Sequence, residues 1–243
     1  VYVQNIRMLI ALKQKFKGLR QRLEDQPVNV SLADPYTGKP SSQLVNDQDL
    51  LAAIRLMPYS TEQLSLLPNL IASAHAGDYL GLAAFSRIIT ERFKEGYAIG
   101  MNNSVMCAED APFVEQSDLL GIEDTYFGSI MVDAISVICQ EWPRGPMDDD
   151  FREAFDSKQP VLILSGETDP ITPPENGEIA HQMLSNSLHL EVPAHGHGVI
   201  SKGCIPQLVN DFVEHVDLSQ LNSDCIQRER ASPFFFDTTG PAP

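Results

Sequence analysis

The chain has 243 residues, and 43% of them are hydrophobic, which is ordinary for a globular protein able to form a packed core. Its formal net charge is −16, which argues against nucleic acid or anionic lipid as partners, because phosphates attract surfaces rich in Lys and Arg. No run of residues approaches the roughly 18–20 apolar residues of a membrane span, so no span is expected.

The first part of the chain, to about residue 150, is predicted to be mainly helical. It opens VYVQNIRMLIALKQKFK, with no initiator Met and no signal peptide, so we expect a fragment or a processed chain. The alternation of Val28 and Val30 predicts a short strand. The segment GMNNSVMCAEDAP is predicted to be a loop, and EWPRGPMDDD to be a boundary. Helices are expected from Ile6 to Leu19, from Asn46-Asp47 to Leu56, and near 61–75, 78–95 and 127–140.

The periodicity changes from about residue 158 onwards. The continuous apolar run PVLILSG predicts a strand buried on both faces of a parallel sheet. SLHLEVP predicts a second strand, with a helix from Asn176 to Leu184 between the two and an amphipathic helix from Ile205 to Val216 after them. This order is a βαβ unit with a closing helix, so the fold class is α/β. Because two strands do not make a stable parallel sheet, we expect the other strands to come from elsewhere.

Asp169 and His197 each follow one of these two predicted strands. Reactive residues gather at the carboxyl ends of the strands in open α/β sheets. In a Ser-His-Asp triad the acid holds one imidazole nitrogen, and the other nitrogen takes the proton of the nucleophile. Gly196 and Gly198 would let the loop turn tightly and keep the His197 ring accessible. We therefore predict that Asp169 and His197 are a catalytic pair, in the chain order of α/β-hydrolases.

Taken singly, both residues have plainer interpretations. Asp-Pro after a strand is often only a turn or a helix cap, and a His in a Gly-rich loop is more often a surface residue. His195 competes with His197, and the two together could suggest a metal site. No third ligand has a sensible spacing, so we expect neither a metal nor a cofactor. The placement of Asp169 and His197 after consecutive strands favours the catalytic interpretation.

The motif GETDPITP followed by GHG resembles the C-terminal part of α/β-hydrolases of the tripeptidyl aminopeptidase and proline iminopeptidase type. LEDQPVNVSLADPYTGKP, LLPNLIASAHAGDY, SVMCAEDAPF and CQEWPRG resemble the helical cap of secreted bacterial members, so the resemblance covers nearly the whole chain. It implies an incomplete α/β-hydrolase fold, with a helical cap over 1–150. The C-terminal part of the core, with an extended tail, would cover 151–243. The implied function is that of a serine exopeptidase.

The nucleophile of such an enzyme lies in a G-x-S-x-G elbow in the N-terminal half of the hydrolase domain. Ser129 in FGSIM and Ser165 in LSGET are the nearest approximations here, and neither has the pattern. We therefore expect the nucleophile upstream of Val1, the missing half-domain as a partner, and an inactive isolated chain.

Exopeptidases of this type recognise the free amine of a peptide or a small amine-bearing substrate, and a buried cation needs a carboxylate. By resemblance, acidic residues of the cap supply it. Glu109 is the first candidate for this substrate-binding role, and Asp110 and Glu141 are weaker ones. The alternative is that all three are solvated loop acids.

The four cysteines lack C-x-x-C spacing, so zinc and thioredoxin-type redox chemistry are not expected. They allow three pairings, of which Cys107–Cys139 with Cys204–Cys225 is the simplest, and free buried thiols are the alternative. Resemblance to secreted enzymes favours the two disulfides and implies a periplasmic or secreted protein. The alternative functions are an esterase on the same fold and a non-catalytic fragment that binds peptides or assembles with a partner.

Overall fold

The structure is a computed structural model that describes residues 2–34, 37–153, 155, 157–235, 237 and 240, without the side chains of 2–9 and 93–95. It divides into two compact units, the first formed by Val1–Ser86 with Ala154–Pro243 and the second by Arg87–Glu153. The predicted boundary near 150 falls close to the end of the second unit, whereas the first 86 residues group with the C-terminal part. A cap function for 1–150 stays a prediction. None of the described helices is long and apolar enough to cross a membrane.

The N-terminal part of the first unit contains helices where the sequence predicts them, together with a β-hairpin. The second strand of the hairpin was not predicted, because PSSQLV has no apolar alternation and becomes a strand only by antiparallel pairing with its neighbour. Asn46 caps the helix that follows, through hydrogen bonds from Gln48 N and Asp49 N to its side chain. The elements are α1 (Tyr2–Asp25), β1 (Val28–Ala33), β2 (Pro40–Val45), α2 (Asp47–Leu56), α3 (Thr61–His75) and the start of α4 (Leu80–Gly96), a helix that continues into the second unit.

The core of this part lies where α1 contacts α2 and α3. Each helix contributes one apolar stripe, and full burial of such a side chain stabilises the fold by about 1.5–3 kcal/mol. The buried members are Phe16, Leu19, Leu23, Leu50, Leu51, Leu67 and Ile71.

The C-terminal part of the first unit has the predicted strand–helix–strand–helix order. Its elements are β3 (Val161–Gly166), α7 (Pro174–Met183), β4 (Ser187–Val192) and α8 (Ile205–His215), numbered after two helices of the second unit. β3 and β4 pair in parallel, which confirms the predicted pairing of the βαβ unit. Burial on both faces is found only at Ser165 and Gly166, whereas the rest of β3 is half-buried. Within the described residues, only β4 pairs with β3, which accounts for this difference.

The core behind β4 joins the end of that strand to α8 and to the Cys204–Cys225 disulfide. The predicted apolar face of α8 is buried only in part, since Leu208 is buried while Val213 and Val216 are 67% and 57% exposed. Val216 has φ of 53° and ends the helix one residue earlier than predicted. The buried members are Val192, Val199, Ile205, Leu208 and Ile226.

The second unit is also helical, and it corrects the prediction of a loop over 100–112. α5 (Ile99–Val105) continues into a π-helical turn (Met106–Asp110) and a 3-10 turn (Ala111–Phe113), and α6 (Ile130–Glu141) follows. The Cys107–Cys139 disulfide joins the π-helical turn to α6. The sequence of this segment is polar and has no apolar period that would predict a helix. The disulfide constrains the segment by a contact between residues far apart in the sequence, and such a contact cannot be predicted from periodicity.

Candidate active site

The parallel pairing of β3 with β4 brings the two predicted catalytic loops together. Gly166 and Val192 are partners at the carboxyl ends of the strands, and Asp169 and His197 follow within a few residues. The carboxyl ends of parallel strands lie at the same edge of a sheet. In α/β proteins, the loops that follow these ends carry the reactive groups.

The two loops are fastened to each other by hydrogen bonds beyond the sheet. Thr168 donates from both N and Oγ1 to the carbonyl of His195, at 2.9 Å each. Ala194 N donates to Glu167 Oε2 at 2.6 Å. A Cβ added to Gly166 would lie 2.2 Å from a backbone oxygen of the neighbouring loop, so the close approach requires glycine. The relative position of Asp169 and His197 is therefore set by the backbone.

Asp169 is a buried carboxylate held on all sides by donors. Its side chain is 4% exposed, and Oδ2 lies 2.9 Å from His197 Nδ1. Oδ1 accepts from Ile171 N at 2.8 Å and from Thr172 N at 3.0 Å. Thr172 Oγ1 donates to Oδ2 at 2.8 Å. These contacts leave the carboxylate no freedom to rotate away from the imidazole.

The pKa of Asp169 lies below its ordinary value, although burial, the largest single effect, raises it. The hydrogen bonds from Thr172 N and Ile171 N, from His197 and from Thr172 Oγ1 together outweigh burial and lower the pKa. Asp169 is therefore ionised at neutral pH. An ionised acid at this place fixes a proton on Nδ1 and stabilises the imidazolium form of a histidine.

His197 leaves its second ring nitrogen free for chemistry. Thr172 Oγ1 lies 3.3 Å from Nδ1, and Asp169 binds the same atom. Nε2 has no hydrogen-bond partner among the described residues. The His197 side chain is 37% exposed. The next residue, Gly198, turns the backbone with φ of 79°. Such an imidazole can accept a proton at Nε2 from a nucleophile placed beside it.

His195, the competing histidine, faces different partners. Its Nδ1 lies 2.9 Å from the carbonyl oxygen of Pro193. Its Nε2 lies 3.8 Å from Glu229 Oε2, and the side chain is 10% exposed. No hydrogen bond joins His195 to Asp169 within the described part of the chain.

A second serine–histidine–acid arrangement, which sequence reasoning missed, lies under α7. Ser165 Oγ lies 2.9 Å from His189 Nε2, and His189 Nδ1 lies 3.4 Å from Glu178 Oε2. A Cβ added to Gly177 would lie 2.6 Å from Ser165 Oγ and 2.5 Å from His189 Nε2. The backbone of α7 therefore covers the hydroxyl, which leaves no space for a substrate carbonyl. Side chains alternate between the two faces of the sheet along β3 and β4, and this alternation places Ser165 and His189 on the same face. Only the position of α7 in the structure shows that this face is covered.

Residues 124–225 match the family model described as TAP-like protein. This TAP-like segment contains β3, β4 and both predicted catalytic loops, and the match is consistent with an α/β-hydrolase, which supports a hydrolase function. Neither a search of curated proteins nor a search of solved structures gives a match.

The second unit contains Ser129, the other serine that approximates the nucleophile motif. It also contains the three acids predicted to bind the substrate amine. Ser129, in the TAP-like segment, donates to Asp133 Oδ2 at 2.7 Å at the start of α6. Glu109 is half-buried in the π-helical turn, two residues after the buried Cys107. Asp110 and Glu141 are exposed. A role for any of these acids in substrate binding stays a prediction.

The four cysteines form the two predicted disulfides. Cys107 pairs with Cys139, and Cys204 pairs with Cys225 at the end of the TAP-like segment. Two disulfides are compatible with an extracellular or secreted protein.

Proposed function

We propose that this chain is the C-terminal part of a serine exopeptidase, which releases N-terminal residues or short peptides by Ser-His-Asp acyl transfer. The single observation that carries the proposal is the Asp169–His197 pair, with its buried ionised acid and its free Nε2. The TAP-like match over both catalytic loops supports the same reaction class.

In this mechanism, Nε2 of His197 takes the proton of a serine hydroxyl while the serine oxygen attacks the substrate carbonyl. Asp169 stabilises the imidazolium that forms. His197 then gives the proton to the leaving amine as the peptide bond breaks, which leaves an acyl-enzyme. A water molecule, deprotonated by His197 in turn, attacks the acyl group and regenerates the serine.

The nucleophile is proposed to come from residues that precede this sequence. The sequence contains no G-x-S-x-G, and no described serine hydroxyl hydrogen bonds to His197. The partner that completes the enzyme is then the N-terminal half of the hydrolase domain, with its elbow and its oxyanion hole. The edge of β3 that pairs with no described strand is where its strands would join the sheet.

This part of the proposal is tested by assaying two proteins with aminoacyl and tripeptidyl reporter substrates. The chain alone is expected to show no turnover, because each missing oxyanion donor is worth about 2.7–4 kcal/mol and the nucleophile is absent. The same chain joined to its upstream half-domain is expected to be active. Turnover by the chain alone that disappears on mutation of one of its own serines would contradict the assignment.

Glu109 is proposed to bind the free amine of the substrate. Its half-buried position beside the Cys107–Cys139 disulfide supports this role, because a fixed, partly desolvated carboxylate binds an ammonium group better than a solvated one. The protein is proposed to work in the periplasm or outside the cell, where such disulfides persist.

The test of Glu109 uses Glu109→Gln in the active protein, with the exposed Asp110→Asn as the matched control. Glu109→Gln is expected to weaken turnover of free-amine substrates and to spare amine-blocked esters, since it removes an ion pair and leaves the acyl-transfer groups in place. Asp110→Asn is expected to change neither. Equal losses on both substrates would remove Glu109 from this role, and a wild type that prefers blocked esters would favour an esterase.

A further inference from the structure

The segment Arg55–Glu62, which joins α2 to α3 and is called here the α2–α3 corner, lies against both catalytic loops. Arg55 Nη1 donates to the carbonyl of Pro170 at 3.3 Å, beside Asp169. Thr61 Oγ1 donates to the carbonyl of Ala194 at 3.2 Å, in the loop of His197. One segment from the first quarter of the chain therefore contacts the loops of both predicted catalytic residues.

An ion pair and a close backbone contact hold the α2–α3 corner in this place. Lys202 Nζ lies 2.9 and 3.2 Å from the two carboxylate oxygens of Glu62. The hydrogen bond from Lys202 is the main cause that lowers the pKa of Glu62 to about 2. A Cβ added to Gly196 would lie 2.1 Å from the carbonyl oxygen of Pro58. The backbones thus meet at van der Waals distance immediately before His197.

This docking places the ring of Tyr59 against the ring of His197. The two centroids are 5.1 Å apart, and the ring planes meet at 69°, which is an edge-to-face contact in the favoured range. Tyr59 is half-buried. Its hydroxyl makes no hydrogen bond with any described residue, so the ring is the part of the side chain that makes the contact.

The Asp169 hydrogen bond leaves one motion of His197 unrestrained. It fixes Nδ1, but the imidazole can still swing about that atom and carry Nε2 away from a nucleophile. More than a third of the His197 side chain is exposed, so surrounding protein does not enclose it. Among the described residues, the Tyr59 ring packs edge-to-face against this imidazole.

We propose that Tyr59 is a positioning residue for His197, held in place by the α2–α3 corner. This inference rests on the proposed function, because it concerns how His197 is oriented for proton transfer. Tyr59 acts through His197 and touches no reacting atom. A displacement of about 1 Å in a catalytic group can cost on the order of a hundredfold in rate, so removal of the ring is expected to lower kcat about 10- to 100-fold.

The test uses the active protein, formed by this chain with its upstream half-domain, and the variants Tyr59→Phe, Tyr59→Leu and Tyr59→Ala. Tyr59→Phe keeps the ring and is expected to keep kcat within about twofold, whereas Tyr59→Leu and Tyr59→Ala are expected to lose kcat with KM changed by less than about threefold. The matched control is Tyr79→Ala, because Tyr79 is a half-buried tyrosine of the same unit that contacts Arg22. It is expected to leave kcat unchanged.

A second measurement does not depend on turnover. Nuclear magnetic resonance relaxation of labelled histidine is expected to show greater mobility of the His197 ring in Tyr59→Ala and Tyr59→Leu than in the wild type or in Tyr59→Phe. An unchanged mobility of the ring would overturn the inference, whatever the activity of the protein.

The outcomes separate this inference from the proposed function. Equal activity of the wild type and His197→Ala would refute the proposed function. Loss of activity in His197→Ala with normal kcat in Tyr59→Ala would overturn the positioning role alone. A rise in KM without loss of kcat in Tyr59→Ala would also overturn it, because Tyr59 would then contact the substrate instead of orienting the imidazole.

Discussion

The first unit contains two histidines that each bind an acid through Nδ1, and they differ in what surrounds Nε2. His197 pairs with a buried Asp169 and leaves Nε2 free beside solvent. His189 pairs with Glu178, which is 52% exposed, and its Nε2 is bound to Ser165 under α7. The first arrangement has a fixed acid and an open base. The second has an exposed acid and a covered base.

This difference shows why a serine–histidine–acid contact is insufficient to identify an active site. Catalysis needs space at the nucleophile for the reacting carbonyl and its oxyanion donors. Gly177 removes that space from the His189 cluster, since even a methyl group on its Cα would overlap Ser165 Oγ. The Ser165–His189 hydrogen bond satisfies polar groups on the face of the sheet that α7 covers.

The largest expected effect contrasts His197→Ala with His189→Ala in the active protein. His197→Ala is expected to lower kcat by roughly five to six orders of magnitude, because the members of a triad act as a unit. His189→Ala is expected to keep kcat within about tenfold while the protein stays folded. Steady-state kinetics well below the unfolding temperature measure both, and a catalytic defect in a folded His189→Ala would remove the distinction between the two clusters.

The next effect contrasts the two acids through Asp169→Asn and Glu178→Gln. Asp169→Asn is expected to lower kcat by about four orders of magnitude, because an amide does not hold the imidazole in the tautomer that leaves Nε2 unprotonated. Glu178→Gln is expected to leave kcat unchanged, since Glu178 hydrogen bonds to the covered histidine and to Gln182 but, among the described residues, to neither Asp169 nor His197. The same kinetic assay decides, and full activity of Asp169→Asn would exclude Asp169 from the mechanism.

How far the sequence predicted these two clusters depends on the kind of contact that forms each. Asp169 and His197 were predictable because a continuous apolar run marked β3 and an alternating pattern marked β4, and parallel pairing places the ends of the two strands together. The His189 cluster was not predictable, because strand alternation does not show which face a helix covers. The contact of Tyr59 with His197 depends on the docking of a distant corner, which no local pattern encodes.

The success of the secondary-structure predictions also depended on whether an element is determined by its local sequence or by contacts with residues distant in the sequence. Helices with a clear apolar period or a capping residue, such as α2 after Asn46, were predicted correctly. The loop predicted over 100–112 is helical, and it is tied to α6 by the Cys107–Cys139 disulfide. β2 was missed because its polar sequence becomes a strand only by pairing with β1.

A third prediction concerns the Cys204–Cys225 disulfide, which packs against the core below the His197 loop. It spans a sequence separation of 21 residues, so replacing both cysteines by Ser is expected to lower the free energy of unfolding by about 3 kcal/mol. Amide hydrogen exchange is expected to rise more in the His197 loop than at the His189 cluster. The Cys107–Cys139 double variant is the control, and an equal rise at both clusters in the Cys204–Cys225 variant would contradict the local role.

A smaller effect is expected from Ser165→Ala, which leaves His189 Nε2 buried without its partner. The cost in the free energy of unfolding is expected to be about 1–3 kcal/mol, the range for an unsatisfied buried polar atom. The kcat of the active protein is expected to stay unchanged, because the backbone of α7 covers Ser165 and the proposed nucleophile lies elsewhere. Urea unfolding and steady-state kinetics on the same preparation check both parts, and loss of kcat without loss of stability would make Ser165 a catalytic residue.

The smallest expected effect is on stability in acid, where the two carboxylates again differ. For Asp169, burial raises the pKa, but hydrogen bonds led by that from Thr172 N outweigh it and lower the pKa. For exposed Glu178, a hydrogen bond from Gln182 is the main cause of a lowered pKa. A carboxyl with a lowered pKa in the folded state stabilises the fold at pH values above its unfolded pKa. That stabilisation is lost as the pH falls through the folded pKa.

The free energy of unfolding is therefore expected to decrease as the pH falls below about 4, where unfolded aspartate takes up a proton. Asp169→Asn removes this group and is expected to flatten that part of the curve. Glu178→Gln is expected to change it much less, because solvent screens the contacts of an exposed carboxylate. Urea unfolding at successive pH values between about 2 and 6 measures both curves. If both variants flattened the pH dependence of the free energy of unfolding equally, the buried Asp169 carboxylate would stabilise the fold no more than the exposed Glu178 carboxylate does. That result would contradict the electrostatic difference between the two histidine clusters.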